Sequence, residues 1–481
     1  MRLFLTILPA IVLFTVQTVQ AQGLDSLKTI GKALANQVEY YINSEQADSI
    51  YSLGDEDFKS QIGKEEFNNF ISQLYTLGRI ESLEFIDLKD RIYRSSLDFK
   101  EQSFSLSLGV NQDLTFNSFL IEPYEKPQKM RTDTVISKVE KIDPLDDFVD
   151  SISRRYIQQE NAQTLSIGVL DRKGAKRYFY GETFRGNDSL PDENTIYEIG
   201  SLTKIFTAVV LADMVKKGTL SLEDKITEYL PDSVAQNPAL KDITLLSLAN
   251  HTSTLPRLPD NLEQSEGYSS DDPYSNYDEG DLYAFLKNFK GKGVVNETYL
   301  YSNLGFGLLG NILEKASGKT FQELVKDIIT GPLQMTSTGV LQEFEGEDLM
   351  PVYNKNGEAV KHWTFKSMAP AGGLQSSLYD LLVFSKANLI RPETPLEEAL
   401  TLSRELTYFN PPNDDVALAW HIKMTGGVIS YVHSGGTAGS RSYIILIPDL
   451  DQAVVILANS SLPIDDLANS LIENLTEAVG F

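Results

Sequence analysis

Strand-like segments lie at both ends of residues 145–481, and mostly helical patterns lie between them. Near the start, "TLSIGVL" and "AKRYFYG" flank a turn through residues 171–174, which predicts a β-hairpin. Near the end, "ALAWHI", "VISYV", "SYIILIP" and "AVVILAN" read as strands, and a helix is expected from about Pro463. This order predicts an α+β domain whose antiparallel sheet is built from both ends of the domain, with the helical middle as a second lobe. A cleft is expected between the sheet and that lobe.

A second, smaller domain is expected before it, because 481 residues exceed one core of ordinary size. Residues 22–125 begin with helical patterns and continue with "SLEFIDLKDRIYRSSLDF", "SFSLSLGV" and "LTFNSFLIEPY", which predict a small α+β domain with one antiparallel sheet. This region resembles the nuclear-transport-factor-like cone domains that precede some exported hydrolase domains. Residues 126–144 are charged and proline-punctuated, which is typical of a linker.

The amino-terminal residues have the pattern of a secretory signal peptide. Arg2 gives a positive end, residues 3–16 are apolar, and Val19-Gln20-Ala21 forms a small-residue cleavage site. The apolar stretch is short for a membrane span and contains Pro9. We therefore expect residues 1–21 to be removed and the protein to be periplasmic or extracellular, without a stable membrane span.

Composition excludes several classes of function. The chain has no cysteine, which rules out disulfides and thiol chemistry, and its four histidines show no metal-ligand spacing, so we expect no metal and no cofactor. A formal net charge of −25 argues against nucleic acid as a partner.

The segment "YEIGSLTKIFTAVVLADMVKKG", residues 197–218, places Lys204 three positions after Ser201. Residues three apart on a helix share a face, so the lysine amine can reach the serine hydroxyl and act as its base once burial lowers the lysine pKa. The competing interpretation is that Ser201 is an ordinary helix cap. Residues 205–215 are apolar almost all round, which predicts a buried central helix. A lysine at the start of a buried helix is unusual, which favours a functional role for Lys204.

Two later segments contain further candidate residues. In "YLYSNLGFGLLGNILEKASG", residues 299–318, Tyr301 has a phenol that can relay a proton and Asn303 an amide that can bind an amide substrate. In "YVHSGGTAGSRSYIILIP", residues 431–448, the run His433–Gly436 ends a predicted strand whose edge can bind a substrate backbone. The N–H groups of Ser201 and Gly436 are candidates for an oxyanion hole.

These motifs, in this order, resemble those of the penicillin-recognising serine hydrolases: SxxK, then YxN about a hundred residues later, then a KTG-like triplet in a late strand. The resemblance covers about residues 145–481 and includes "HTSTLPRLP" (251–259), similar to the family's HTSGLP, and "APAGGLQSS" (369–377), similar to its AGGL segment. The tyrosine in YxN indicates class C β-lactamases, D,D-peptidases and related esterases.

The resemblance implies a role for each matching residue. Ser201 is the acylated nucleophile, Lys204 its base and Tyr301 the proton relay. The residues expected to bind the substrate are Asn303, His433, Ser434, Gly435 and Gly436. Two positions depart from the family: Thr254 replaces the glycine of HTSGLP, and His433 replaces the lysine that gives β-lactamases a permanent cation.

The predicted function is an exported serine hydrolase acting on D-amino-acid peptides or related amides and esters of the cell envelope. A β-lactamase or an esterase of the same fold is the alternative, with a β-lactam or ester as substrate. A non-catalytic protein that binds peptidoglycan fragments is the alternative from another class. We also hypothesise that His433, when protonated, binds a substrate carboxylate.

Overall fold

The computed structural model describes residues 8–100, 102–124, 130, 134–344, 349–412, 414–425 and 427–477. The chain divides into two compact units, Met1–Gln128 and Lys129–Phe481. The first seven residues of the expected signal peptide lie outside the described residues, and the signal peptide remains a prediction. Within the described residues, no helix combines the length and apolar character needed to cross a membrane.

In the described residues of the first unit, four helices are followed by four strands. They are α1 (Leu8–Asn43), α2 (Ala47–Ser52), α3 (Glu56–Gln61), α4 (Lys64–Tyr75), β1 (Ile80–Lys89), β2 (Ile92–Phe99), β3 (Ser103–Val110) and β4 (Phe116–Pro123). The strands form one antiparallel sheet in the order β1-β2-β3-β4. Its core joins apolar residues of the helices and the sheet, among them Val38, Phe67, Leu97 and Phe116. This unit is α+β, and its likeness to cone domains stays a prediction.

The second unit begins with a short strand and a hairpin and continues through a helical region. Its elements up to the late strands are β5 (Ser137–Lys138), α5 (Pro144–Ile157), β6 (Thr164–Asp171), β7 (Gly174–Gly181), β8 (Ile196–Glu198), α6 (Thr203–Lys216), α7 (Asp232–Ala235), α8 (Leu245–Ala249), α9 (Glu279–Asn288), α10 (Asn303–Ser317), α11 (Phe321–Val325), α12 (Gly331–Leu333), β9 (Gly339–Val340), β10 (Val352–Tyr353), β11 (Ala359–Val360), α13 (Ala369–Gly372), β12 (Leu374–Ser377), α14 (Leu378–Leu389) and α15 (Pro395–Ser403). The end of the unit comprises β13 (Asp415–Val416), β14 (His421–Thr425), β15 (Val428–Gly436), β16 (Arg441–Ile447), β17 (Gln452–Ala458) and α16 (Asp465–Glu477).

The main sheet joins the two ends of this unit. Its eight strands lie in the order β13-β14-β15-β16-β17-β6-β7-β5, and β17 pairs antiparallel with β6. Side chains alternate along β17: Val455 and Leu457 face the core shared with the helical lobe, while Val454 and Ile456 face the core under α5 and α16. The sheet is therefore buried on both faces, and the predicted α+β architecture is confirmed.

The predicted linker 126–144 differs from the structure in its second half. Val135 is buried in the core of the second unit, and Ser137 and Lys138 pair with β7 at the sheet edge. Asp143 then caps α5, accepting hydrogen bonds from two backbone N–H groups of its first turn. An edge strand needs few apolar side chains, which is why this charged segment has the composition of a linker.

The predicted strand "ALAWHI" is wrong in its first four residues. Ala417–Trp420 form a buried bend, in which the Ala417 N–H donates to the Trp420 carbonyl at 2.9 Å. Ala419 has a left-handed φ of 66°, and its N–H donates to Ala249 O of the helical lobe. The segment is apolar because it packs into the lobe, and β14 begins only at His421.

Candidate active site

Ser201 lies at the entry to the buried helix α6. It belongs to a single 3-10 turn, Gly200–Leu202, and α6 follows with every residue from Thr203 to Met214 buried. The N-cap position of α6 is Leu202, and the helix start has no side-chain capping bond. The interpretation of Ser201 as an ordinary helix cap is therefore wrong.

Glycines bring the end of β15 very close to the Ser201 turn. Gly200 has a left-handed φ of 49°, and a Cβ on it would lie 2.6 Å from the Gly436 nitrogen. A Cβ on Gly435 would lie 2.1 Å from the Ile199 carbonyl oxygen, which also accepts a hydrogen bond from Ser442 Oγ at 2.7 Å. These glycines are required by close packing within the protein, which is a different reason from the substrate access that the sequence suggested.

We expect Gly435→Ala to lower the free energy of unfolding by about 1–3 kcal/mol, because the added methyl group overlaps backbone that has no room to move. The control is Gly372→Ala, also close to the Ser201 turn, where the new Cβ would have neighbours at 3.5 Å or more, among them Gly200 at 3.9 Å. Chemical denaturation of both variants measures the difference. Equal stability of the two variants would contradict this account of the packing.

Lys204 is fully buried, with its amine directed at Ser201. Its Nζ lies 3.0 Å from Ser201 Oγ and donates a hydrogen bond to the Ala371 carbonyl oxygen at 2.6 Å. Burial holds the lysine pKa well below its ordinary value, and the nearby Arg257 guanidinium lowers it further. The site thus contains an amine whose protonation is disfavoured by its surroundings, next to a serine hydroxyl.

Tyr301 is fixed just before helix α10. Ser302 caps that helix by accepting a hydrogen bond from the Gly305 N–H at 2.8 Å, and the Asn303 N–H donates to the Arg257 carbonyl oxygen at 3.0 Å. The Tyr301 ring centroid lies 5.0 Å from Lys204 Nζ. Burial raises the pKa of Tyr301 to about 12, while a hydrogen bond with the Ser201 side chain and the Arg257 charge act in the opposite direction.

Three of the four histidines gather around Tyr301. The ring centroid of His251 lies 4.3 Å from that of Tyr301, the His433 centroid lies 6.5 Å from it, and His421 lies 5.7 Å from His433. Burial is the first cause that lowers the pKa of all three, to well below the ordinary value for His251 and His433. The three side chains are therefore neutral at neutral pH.

His433 has a defined tautomer in this arrangement. Its Nδ1 lies 2.8 Å from the Ser434 carbonyl oxygen, which can only accept, so Nδ1 carries the proton and donates. Nε2 is then an acceptor, and it has no hydrogen-bond partner among the described residues. A neutral His433 does not supply the cation that the carboxylate hypothesis requires.

One open pocket contains most of the predicted site. Ser201, Tyr301 and the run His433–Gly436 line it. Asn303 is not among the lining residues, and its Oδ1 is buried without a hydrogen-bond partner among the described residues. The described residues contain no group of three or more histidine, aspartate or glutamate side chains arranged to hold a metal ion.

Sequence reasoning gave no role to several residues that the fold brings to this pocket. Arg257, His421, Arg441 and Asp465 also line it, from four separate segments. Arg257 stands inside the quoted "HTSTLPRLP" segment, directly after the motif letters, and His421 follows the misassigned bend. The signal for Arg257 and for Arg441 is their position in a motif segment, residues 251–259 and 431–448, whereas His421 and Asp465 carry no local pattern.

Comparison with known proteins assigns the second unit to a protein family. The family model described as "Beta-lactamase" matches residues 153–475. A beta-lactamase of Pseudomonas fluorescens is 24% identical over 349 residues, which are 66% of this chain and 93% of that protein. The D-alanyl-D-alanine-carboxypeptidase/endopeptidase AmpH of Escherichia coli (strain K12) is 34% identical over 196 residues, 40% of this chain and about half (49%) of AmpH.

Solved structures agree on the fold. The beta-lactamase/D-alanine carboxypeptidase from Pseudomonas syringae superposes with a TM-score of 0.61 at 23% identity, covering 70% of this chain and 99% of that one. The class C beta-lactamase from Rhodobacter sphaeroides gives a TM-score of 0.60 at 21% identity, covering 69% and 100%. The chain is a serine hydrolase of the beta-lactamase family.

Proposed function

We propose that the protein is exported and hydrolyses D-amino-acid peptides, or related amides and esters of the cell envelope, through an acyl-enzyme on Ser201. The observation that carries this proposal is the 3.0 Å separation between Ser201 Oγ and the amine of a fully buried lysine. A buried amine of lowered pKa beside a hydroxyl is the arrangement that activates a serine nucleophile. The relative AmpH, by its name a D-alanyl-D-alanine carboxypeptidase, favours the D-peptide class of substrate.

The proposed chemistry follows from the hydrogen bonds of Lys204. A neutral amine that donates one hydrogen to the Ala371 carbonyl still has a lone pair for the Ser201 hydroxyl proton. As that proton moves to Lys204, Oγ attacks the substrate carbonyl carbon and a tetrahedral intermediate forms. Tyr301, adjacent to both side chains, gives its phenol proton to the leaving group and takes the proton held by Lys204, so the leaving group departs protonated and the acyl-enzyme results. Water then attacks the ester carbonyl as Lys204 takes one of its protons, and that proton passes to Ser201 Oγ as the bond from Oγ to the acyl carbon breaks and the acid product leaves.

The state of His433 bears on which substrates bind best. Its unprotonated Nε2 presents a lone pair, which suits a substrate N–H or hydroxyl group as donor. The permanent cations of the pocket are instead Arg257 and Arg441. A neutral His433 therefore does not favour the hypothesis that this residue, when protonated, binds a substrate carboxylate.

The β-lactamase and esterase alternatives share this mechanism and differ in the acyl group. The similarity to the Pseudomonas fluorescens beta-lactamase favours the first of them. The non-catalytic alternative keeps the pocket without turnover, and peptidoglycan fragments would then be ligands. Export and a cell-envelope location rest on the signal-like amino terminus, and an accessory role for the first unit rests on its likeness to cone domains.

Acylation followed by a substrate comparison tests the proposal. Purified protein is incubated with a fluorescent penicillin or a fluorophosphonate, and the adduct is mapped by mass spectrometry. Turnover of a D-Ala-D-Ala peptide, nitrocefin and a short-chain nitrophenyl ester is then compared. We expect an adduct on Ser201 and the highest kcat/KM for the peptide. Absence of any adduct and any turnover would support the binding protein, and faster hydrolysis of nitrocefin or the ester would change the substrate class.

A further inference from the structure

Arg257 connects to the Ser201–Lys204–Tyr301 group through both its backbone and its side chain. Its carbonyl oxygen accepts hydrogen bonds from the N–H groups of Asn303 and Leu304 at the start of α10. Its guanidinium carbon lies 5.1 Å from the Tyr301 ring centroid, within cation–π distance. The side chain is exposed at the pocket mouth, and no carboxylate of the described residues lies within 4.0 Å of it.

The other titratable groups around Lys204 and Tyr301 add little fixed charge. His251, His421 and His433 approach from three different segments and are neutral. Two tyrosines, Tyr274 and Tyr299, are neutral phenols whose pKa values are raised by burial. Of the nearby carboxylates among the described residues, Asp414 acts on His421, and Asp465, which also lines the pocket, acts on Arg441.

We propose that Arg257 is a positioning residue for the reaction, whose fixed positive charge beside the Tyr301 ring disfavours a second positive charge on Lys204, 5.0 Å from the same ring centroid. This inference rests on the proposed acyl-enzyme function and adds a residue to it. The Arg257 charge opposes protonation of Lys204 and favours ionisation of the Tyr301 phenol, so it acts on both proton-transfer partners in the useful direction. Solvent screens an exposed guanidinium, so the expected shift is moderate.

The test compares the pH dependence of Ser201 acylation in the wild type, Arg257→Gln and Arg257→Lys. Gln keeps the backbone carbonyl that anchors α10 and removes only the charge. Without that charge Lys204 is protonated more readily, so the acid limb of the acylation rate moves to higher pH by about half a unit to one unit. The rate of Arg257→Gln falls about three- to tenfold on the acid limb and approaches the wild-type rate at high pH. In Arg257→Lys the acid limb of the acylation rate should lie close to its wild-type pH, because lysine keeps the positive charge.

Arg441→Gln is the matched control, because it removes the other guanidinium of the same pocket. Arg441 donates to the Thr437 and Ser440 carbonyl oxygens at 3.0 and 2.9 Å and is not among the charges that act on Lys204. The acid limb of this variant should stay in place. In about 1 M salt the difference in pH between the acid limbs of the wild type and Arg257→Gln should become smaller, because salt screens the Arg257 charge.

The outcomes separate the two proposals. Failure of the wild type to acylate at Ser201 would overturn the proposed function itself. If the wild type acylates, an acid limb at the same pH in Arg257→Gln would overturn the role of Arg257, whether the rate is unchanged or reduced equally at every pH. An equal shift in Arg441→Gln would overturn it as well, since any pocket cation would then serve.

Discussion

Ser201→Ala is expected to abolish acylation and to lower kcat/KM by at least about 10³-fold, because the covalent route loses its nucleophile. The protein should remain folded, since the Ser201 side chain makes no capping bond to α6. Intact-mass measurement after incubation with a fluorophosphonate reports acylation, and thermal unfolding reports the fold.

Ser221→Ala is the matched control for this experiment. Ser221 is an exposed serine twenty residues further along the chain, away from the pocket. This variant should acylate and turn over substrate like the wild type. Retention of most activity in a folded Ser201→Ala protein would remove Ser201 from the mechanism and return the chain to the binding-protein alternative.

The architecture was predictable because its signals are local. The hairpin of β6 and β7 and the apolar strands β16 and β17 follow from their own residues, and the buried helix α6 follows from an apolar run of eleven residues. Their assembly into one sheet follows from the order of strands and helices. A local pattern does not show which part of the protein an apolar segment packs against. Ala417–Trp420 have the composition of a strand, yet they pack into the helical lobe.

The candidate site shows the same difference between local patterns, which are predictable, and contacts between distant segments, which are not. Ser201 and Lys204 were predictable as a pair because three positions on a helix define a distance, and the structure brings Tyr301 and His433 to them from remote segments. The charge state of His433 was not predictable. A sequence gives a histidine its ordinary pKa, whereas burial and two neighbouring basic groups set the value in the fold. The same reasoning applies to Arg257, whose effect depends on its height above one particular ring.

Lys204→Met should remove activity while leaving the protein folded. Methionine matches the length of the lysine stem, but its thioether sulfur is too weakly basic to accept the Ser201 proton, and loss of a general base costs about 10²–10⁴-fold in rate. Tyr301→Phe should also lose activity, and the double variant should lose little more than Lys204→Met alone, because the two residues act on one proton transfer. Additive losses would mean that they act in separate steps.

The stability of Lys204→Met should depend on pH in a defined direction. The folded-state pKa of Lys204 is depressed, so below its ordinary pKa the unfolded chain binds a proton that the folded protein excludes. That penalty grows as pH falls and vanishes as pH rises through the ordinary lysine pKa. Loss of the hydrogen bond to the Ala371 carbonyl costs the variant a similar amount at both pH values, so its stability relative to the wild type should be greater near neutral pH than near pH ~10. Urea denaturation at the two pH values measures this. A relative stability that is greater at the higher pH would show that Lys204 is charged in the folded protein and cannot be the base.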